Sequence, residues 1–359
     1  VVKKSNKHAA ARAAKIKSFD PNGPALKTSN IFGLPFAAAE SEIVLLPVPW
    51  EVTVSYGGGT SKGPKAIFEA SAQVDLYHPE FPDLWKCGIF MEEVDAALMG
   101  ASRKLKKDAA KVMDLLADGS KSPRKTSELQ SRVNKGAKEM VDWVYRASAA
   151  RLKDGKLLGL VGGDHSTPLG FFKALSEKYG KFGILQIDAH MDLRKAYEGF
   201  TYSHASIMYN TLELKEVAKL VQVGIRDYCQ EEQDYVQRSK GRVKVFTYAD
   251  LAAQRYKGMT WKKQCDAIIA ALPDKVHISF DIDGLDPRFC PHTGTPVPGG
   301  FEFHEITYLL SALARSNKKI ISFDLNEVSP GDSDWDGNVG ARMLFHLCGV
   351  LAKSNKRIK

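Results

Sequence analysis

From residue 156 onward the chain repeats a short β-branched run, and this restricts the fold more than any other feature. The runs are "KLLGLVGGDHS", "FGILQIDAH", "KLVQVGIRD", "VKVFTY", "KVHISFDIDG" and "KIISFDLNEV". Each is apolar almost without interruption, so neither of its faces is suited to water. The segments between them are long enough for helices. Strands buried on both faces and alternating with helices form a mainly parallel sheet covered on both sides. "SEIVLLPVPW" adds a first strand ahead of Pro49, and "GGGTSKGPKAIFEAS" predicts a helix from Pro64 to Ala72. A helical stretch is expected from Glu92 to Leu116, interrupted by "SKSPRKTS" and followed by a second helix. There Ser127 and Gln130 have capping-box spacing. Leu129, Val133, Ala137, Met140, Val144 and Ala147 then form an apolar stripe at helical spacing, the pattern of a face turned to a core. "HEITYLLSALARS" and "NVGARMLFHLCGVLAKS" read as late amphipathic helices, and "KSNKRIK" as a frayed basic end.

Four of the runs finish in ionisable groups. His165 follows "LLGLV", Asp188, His190 and Asp192 follow "GILQI", Asp281 and Asp283 follow "VHISF", and Glu327 follows "IISFDLN". The carboxyl ends of strands form the chemical rim of an open parallel sheet. Alternate residues of an extended segment point the same way, so Asp188 and His190 converge and a turn can return Asp192. Asp281 and Asp283 repeat that geometry from another strand. His165 sits behind Gly162 and Gly163, which permit a tight turn. Without cations these carboxylates would repel and take up protons. Two divalent ions neutralise four negative charges. Oxygen ligands with a minority of imidazoles suit Mn²⁺, with Ni²⁺, Fe²⁺, Co²⁺ and Zn²⁺ as chemical alternatives. A water held between two such ions loses a proton near neutral pH and can attack an electrophilic carbon. Asp164 and Asp286 read as turn-holding carboxylates, and Asp324 as a group that orients a neighbouring histidine or loop.

"GGDHS", "DAHMD", "SFDIDGLDP" and "EVSP" together resemble the signatures of the ureohydrolase family of arginases, agmatinases, formimidoylglutamases and guanidino-acid hydrolases. The resemblance implies a three-layer α/β/α fold around a mainly parallel eight-stranded sheet, a binuclear centre, usually manganese, and a homotrimer or homohexamer. It implies one ion held by His165, Asp188, Asp192 and Asp281. The other falls to Asp188, His190, Asp281 and Asp283, with Asp188 and Asp281 bridging. Glu327 matches the carboxylate that pairs with a substrate guanidinium, and His204 in "YSHAS" a histidine that shuttles protons or steers the substrate. Ala205 stands where members of the family often have glycine. With Asp192, His204 and Glu327 as catalytic groups, the expected reaction hydrolyses a guanidino compound and releases urea.

Substrate choice rests on the segment after "DAHMD". "LRKAYEGFTYSHAS" is short and aromatic, with Tyr197, Phe200 and Tyr202 but no Asn/Ser clamp for an amino acid, which disfavours arginine. Agmatine, giving putrescine, is favoured, because its aliphatic middle tolerates apolar walls and Glu198 could meet its far end. Free guanidine with Ni²⁺ or Mn²⁺ is the alternative. Formimidoylglutamate is a third, with Arg194 as its candidate clamp. A homologue that retains metal without turnover is a reading of a different class, opposed by the complete ligand set.

The expected organisation is a basic N-terminal extension over 1–40 and one catalytic domain over 41–359, with a helical insertion around 85–150. The formal charge of +9 raises nucleic-acid binding, but Lys3, Lys4, Lys7, Arg12, Lys15, Lys17 and Lys27 against only Asp20 place much of it in a tail. No specific nucleic acid is therefore expected. The tail suits an organelle transit peptide or a solvated extension, and because the chain begins with Val an upstream segment is expected. The apolar runs are strand-sized, which argues against a membrane span. Five scattered cysteines, Cys87, Cys229, Cys265, Cys290 and Cys348, read as reduced and intracellular, with the cytoplasm favoured over an organelle.

Overall fold

A computed structural model of the chain describes residues 2–25, 30–119 and 122–358. Lys27, the side chains of Lys3, Lys4 and Lys7, Ser120 and Lys121 of the interrupting segment, and Lys359 lie outside the described residues. Eight strands form one sheet: β1 (Ile43–Val48), β2 (Ile89–Met91), β3 (Leu157–Gly162), β4 (Phe182–Ile187), β5 (Val217–Ile225), β6 (Val243–Thr247), β7 (Lys275–Asp281) and β8 (Lys319–Asn326). Their order is β2-β1-β3-β8-β7-β4-β5-β6, and every neighbouring pair is parallel.

Alternation along each strand sends side chains into two cores, one on either face of the sheet. In β1, Ile43 and Leu45 join one core while Val44, Leu46 and Val48 join the other. In β4, Leu185 and Ile187 face the first core, and Phe182 and Ile184 the second. Both faces are covered by helices, so the architecture is the expected three-layer α/β/α. Among the described residues no helix is long and apolar enough to cross a membrane.

Helices α1 (Val2–Ser18), α2 (Gly63–Ala70), α3 (Ala96–Ala117), α4 (Pro123–Lys153) and α5 (Leu169–Tyr179) precede β4 in the chain. The stripe on α4 behaves as its spacing predicts: Leu129, Val133, Ala137, Met140 and Val144 are buried in the second core, and Ala147 packs against it. The start of α4 differs from expectation. It begins at Pro123, whose fixed φ suits the first helical position. Ser127 therefore lies inside the helix, and the Gln130 side chain donates to the Glu198 carbonyl at 2.8 Å rather than closing a capping box. Within 85–150 the structure also places the short edge strand β2, so that stretch contributes to the sheet as well as to its helical cover.

Described residues near both ends pack against the body of the fold. Arg12 Nη1 reaches Glu42 Oε1 at 2.6 Å, Lys15 Nζ reaches Glu40 Oε2 at 2.6 Å, and Phe19 packs on Trp85 with ring centroids 5.4 Å apart. Ile31, Phe32, Leu34 and Phe36 are core residues, so packing begins ahead of residue 40. Up to residue 358 the expected fraying is not seen, because Arg357 Nε lies 3.4 Å from Glu42 Oε2 and Ile358 packs on the first core.

One buried titratable group ties stability to pH. His346, on the helix Trp335–Ser354, points Nε2 at the Thr307 carbonyl at 3.1 Å. Burial, aided by His78, pushes its pKa down to about 3. Between about 3 and the ordinary histidine value of about 6.5 the unfolded chain binds the extra proton, so stability falls as pH drops through that window. The melting temperature is therefore expected to fall from pH 7 to pH 5. His346→Gln should flatten that slope; an unchanged slope in the variant would remove His346 as its source.

Candidate active site

Strands β3, β8, β7 and β4 are consecutive neighbours in the sheet, and their carboxyl ends bring His165, Glu327, Asp281 and Asp188 to one rim. Backbone geometry there is under constraint. A Cβ on Gly163 would lie 2.0 Å from the Trp50 carbonyl, so only glycine lets the turn carrying His165 pass. Asp192 and Glu327 adopt φ of 55° and 65°, a left-handed conformation that non-glycine residues seldom hold outside functional sites.

The predicted ligands converge. His165 Nδ1 lies 3.1 Å from Asp188 Oδ2, 3.4 Å from Asp192 Oδ2 and 3.2 Å from Asp281 Oδ2, and it makes no hydrogen bond. His190 Nδ1 lies 3.0 Å from Asp283 Oδ2 and 3.6 Å from Asp188 Oδ1. Two groups able to hold a cation follow: His165 with Asp188 and Asp281, and Asp188 with His190 and Asp283. Asp188 belongs to both. An orphaned, fully buried imidazole nitrogen aimed at three carboxylate oxygens, beside a second His/Asp cluster, is a donor set that fits two divalent ions.

Electrostatics without cations point the same way. Burial and the neighbouring charges of Asp283 and Asp188 push the Asp281 carboxyl well above the usual range. Burial and Asp188 push Asp192 up to about 7. Burial opposes charge on His165, yet the three surrounding carboxylates hold its pKa well above the ordinary value. Burial likewise opposes charge on His190, which Asp283 and Asp188 overcome. Protons take the places that divalent ions would occupy.

A buried polar lattice aims the ligands. Ser279 Oγ donates to Asp324 Oδ1 at 2.9 Å and so accepts from His165 Nε2–H, also at 2.9 Å, which turns the other ring nitrogen inward. His277, one alternation earlier on β7, contacts Ser322 Oγ at 2.7 Å and Asp324 Oδ2 at 2.6 Å. Gln186 donates to Asp188 Oδ2 at 2.8 Å and accepts from Gln222 Nε2 at 2.7 Å. Asp283 accepts from the Ala189 amide at 2.9 Å, and Arg226 Nη2 grips the Asp283 carbonyl at 2.7 Å. Asp164 holds the turn before His165 through the Val52 and Ser166 amides, and Asp286 accepts from the Arg288 amide in its own loop. Polar residues inside otherwise apolar strands, such as Gln186, His277 and Ser279, were the available signal for this lattice.

Glu327 Oε1 accepts from the His165 amide at 2.8 Å, while Oε2 is buried without a partner. Both His204 and Glu327 line a cavity of about 160 Å³ with His165, His190, Asp192, Asp281 and Asp283. His204 Nδ1 lies 3.4 Å from Thr53 Oγ1, and burial pushes its pKa down to about 4. The aromatic segment contributes less wall than its composition suggested. Tyr197 lines the cavity, but Phe200 is fully buried in the second core, Tyr202 packs against that core and Glu198 lies off the cavity. Ser55, Arg194, Ala205, Asp227, Tyr228, Glu232 and Thr295 complete the lining; of these the sequence singled out only Arg194 and Ala205. Asp332 and Asp334 border a separate cavity with Lys62 and Arg103, while Asp336 accepts from His292 Nδ1 at 2.9 Å.

Comparison with known proteins agrees with this geometry. The profile described as Arginase family matches residues 41–349. The N(1)-aminopropylagmatine ureohydrolase of Thermus thermophilus is 31% identical over 313 residues, covering 87% of this chain and 90% of that protein. Its counterpart from Synechocystis is 30% identical, covering 89% and 92%. Among solved structures, the agmatine ureohydrolase of Thermoplasma volcanium superposes with a TM-score of 0.70 at 22% identity, over 96% of this chain and 99% of that one. That likeness concerns the fold.

Asp188→Ala should deplete both ions together, read by elemental analysis after dialysis; loss of one alone would contradict a shared ligand. Because ions must displace protons, occupancy at fixed metal concentration should fall as pH is lowered through about 7, where Asp192 takes up its proton. Titration calorimetry across that range measures it.

Proposed function

The chain belongs to the arginase family and is a metal-dependent hydrolase of amidine or guanidino C–N bonds, and we propose that it releases urea from a small alkyl guanidine, agmatine first. The observation carrying this reading is Glu327 Oε2, a buried carboxylate oxygen with no partner in a cavity lined by the ligand cluster. Burial, Asp281 and Asp164 push its pKa well up, so an arriving guanidinium supplies the counter-charge that the carboxylate lacks. Asp227 adds negative charge to the lining and suits a distal ammonium, while Glu232 is held by the Leu193 and Cys229 amides. Related proteins that are N(1)-aminopropylagmatine ureohydrolases and agmatinases support the same class.

In this reading His165, Asp188, Asp192 and Asp281 would hold one divalent ion and Asp188, His190, Asp281 and Asp283 the other, with Mn²⁺ favoured. Such a pair supplies a water nucleophile at neutral pH and positive charge beside the carbon under attack. Glu327 anchors the guanidinium and presents its central carbon. Asp192 accepts a proton from the attacking water and delivers it to the departing nitrogen as the C–N bond breaks, giving urea and an amine. His204, neutral at working pH, relays protons between the pocket and solvent. Glu327 is buried, which strengthens its attraction for a guanidinium.

Free guanidine is the second reading, favoured by the small volume of the cavity, about 160 Å³, and by the Arg194 cation stacked 5.2 Å from the Tyr197 ring. Urea release from guanidine, agmatine, N(1)-aminopropylagmatine and arginine, and formamide release from formimidoylglutamate, after separate Mn²⁺ and Ni²⁺ loading, decide between them. Agmatine is expected to give the highest kcat/KM and arginine a poor one. Guanidine leading the panel would select the second reading, and no urea from any compound would remove both. Glu327→Gln should keep its metal while kcat/KM falls on the order of 10²–10³-fold; near-normal turnover would remove its role.

A further inference from the structure

We propose that Lys106, on helix α3, is a positioning residue for the reaction pocket: through Glu51 it fixes the glycine-rich wall formed by residues 52–61. This rests on the hydrolase reading for its kinetic test but concerns a part of the molecule to which that reading assigns no role.

Glu51 is 1% exposed and follows β1 into the rim. A carboxylate so buried is strongly disfavoured unless both oxygens are engaged. Here Oε2 accepts from the Gly59 amide at 2.9 Å and the Ser61 amide at 3.0 Å, while Oε1 takes the Lys106 ammonium. Burial opposes its ionisation, and Lys106 with the two amides holds the pKa below the ordinary value. Helix α3 grips the same residue a second time. The Glu51 amide donates to Ser102 Oγ at 2.9 Å, and Ser102 and Lys106 lie one turn apart on one helix face.

The held segment forms part of the pocket. Ser55 lines the cavity, and Thr53 Oγ1 sits 3.4 Å from His204 Nδ1. Gly57 donates to the Gly294 carbonyl at 3.0 Å, and Ser329 Oγ donates to the Gly58 carbonyl at 3.3 Å. Packing there is backbone against backbone. A Cβ on Gly57 would meet the Gly294 oxygen at 2.7 Å, and one on Gly59, at φ +129°, would meet Ser329 Oγ at 2.5 Å. Gly294 and Ser329 in turn flank Glu327: a Cβ on Gly294 would lie 3.3 Å from Glu327 Oε2. A side chain on the outer helical layer thus sets the wall facing the guanidinium anchor and His204, without touching substrate or any proposed ligand.

The test compares Lys106→Met, Lys106→Arg and Glu51→Gln with the parent chain, each loaded with Mn²⁺. Lys106 is 42% exposed at its side chain but its partner Glu51 is buried, so its removal should lower the melting temperature while the chain stays folded at assay temperature and keeps both ions. Lys106→Met is expected to raise KM for the best guanidino substrate roughly tenfold with kcat changed far less, since a displaced wall weakens capture. Lys106→Arg should recover most of the loss, and Lys106→Met should add little on the Glu51→Gln background. Independently of turnover, amide hydrogen exchange over 52–61 should quicken in Lys106→Met while α4 and the central strands stay protected. Unchanged exchange and KM in a folded Lys106→Met would overturn the proposal. So would equal losses of melting temperature, metal and kcat, which a purely structural role predicts. If the parent releases no urea from any compound the hydrolase reading fails, and hydrogen exchange alone still judges the proposal.

Discussion

Desolvated like charge is the constraint on which this structure turns. Asp188, Asp192, Asp281 and Asp283 are each less than a tenth exposed, and two imidazoles lie among them. At the effective dielectric constant of about 20 that suits protein sites, neighbouring unit charges 4 Å apart interact by about 4 kcal/mol. The cluster therefore holds protons or cations. The protein has arranged the surroundings for cations: Ser279 and Asp324 turn the free nitrogen of His165 inward, and the Gln186–Gln222 pair fixes Asp188. These are costly groups to bury inside a sheet. Each is paired in register with a partner on the next strand, His277 with Ser322, Ser279 with Asp324 and Gln186 with Gln222. The cross-strand ladder is thus also the scaffold of the site.

Seven of the eight strands were legible because near-continuous apolar runs bounded by polar residues have few other solutions in a chain of this length. The eighth, β2, escaped because three residues, Ile89–Met91, are too few to show a period. The start of α4 was misplaced for a related reason. Ser127 and Gln130 carry a valid local spacing, but Pro123 supplies an earlier start and tertiary contact claims Gln130. Local signals lose wherever a longer-range partner offers more.

The six proposed ligands were visible because chemistry forces rare residue types into strand ends. The pocket lining was not. Asp227, Tyr228 and Glu232 come from the loop after β5 and the helix that follows it, where nothing in the local pattern distinguishes them from solvated residues. Phe200 shows the opposite error: an aromatic residue beside a catalytic motif is buried in the core like any other phenylalanine. Composition tells what a segment could do; the register of neighbouring strands decides which way it faces.

The proposed coordination sphere draws on strands distant in sequence, from His165 to Asp283, and of its six residues only His190 keeps appreciable contact with solvent. It cannot preassemble on a partly made chain, so loading must follow closure of the sheet. Tyr197, Arg194 and Tyr228 line the same cavity as the cluster and Glu327, so an arriving ion and an arriving guanidinium would share that space. A tightly held reactant in that cavity would therefore slow the escape of ions held behind it, and a chelator would strip the resting protein faster than the working one.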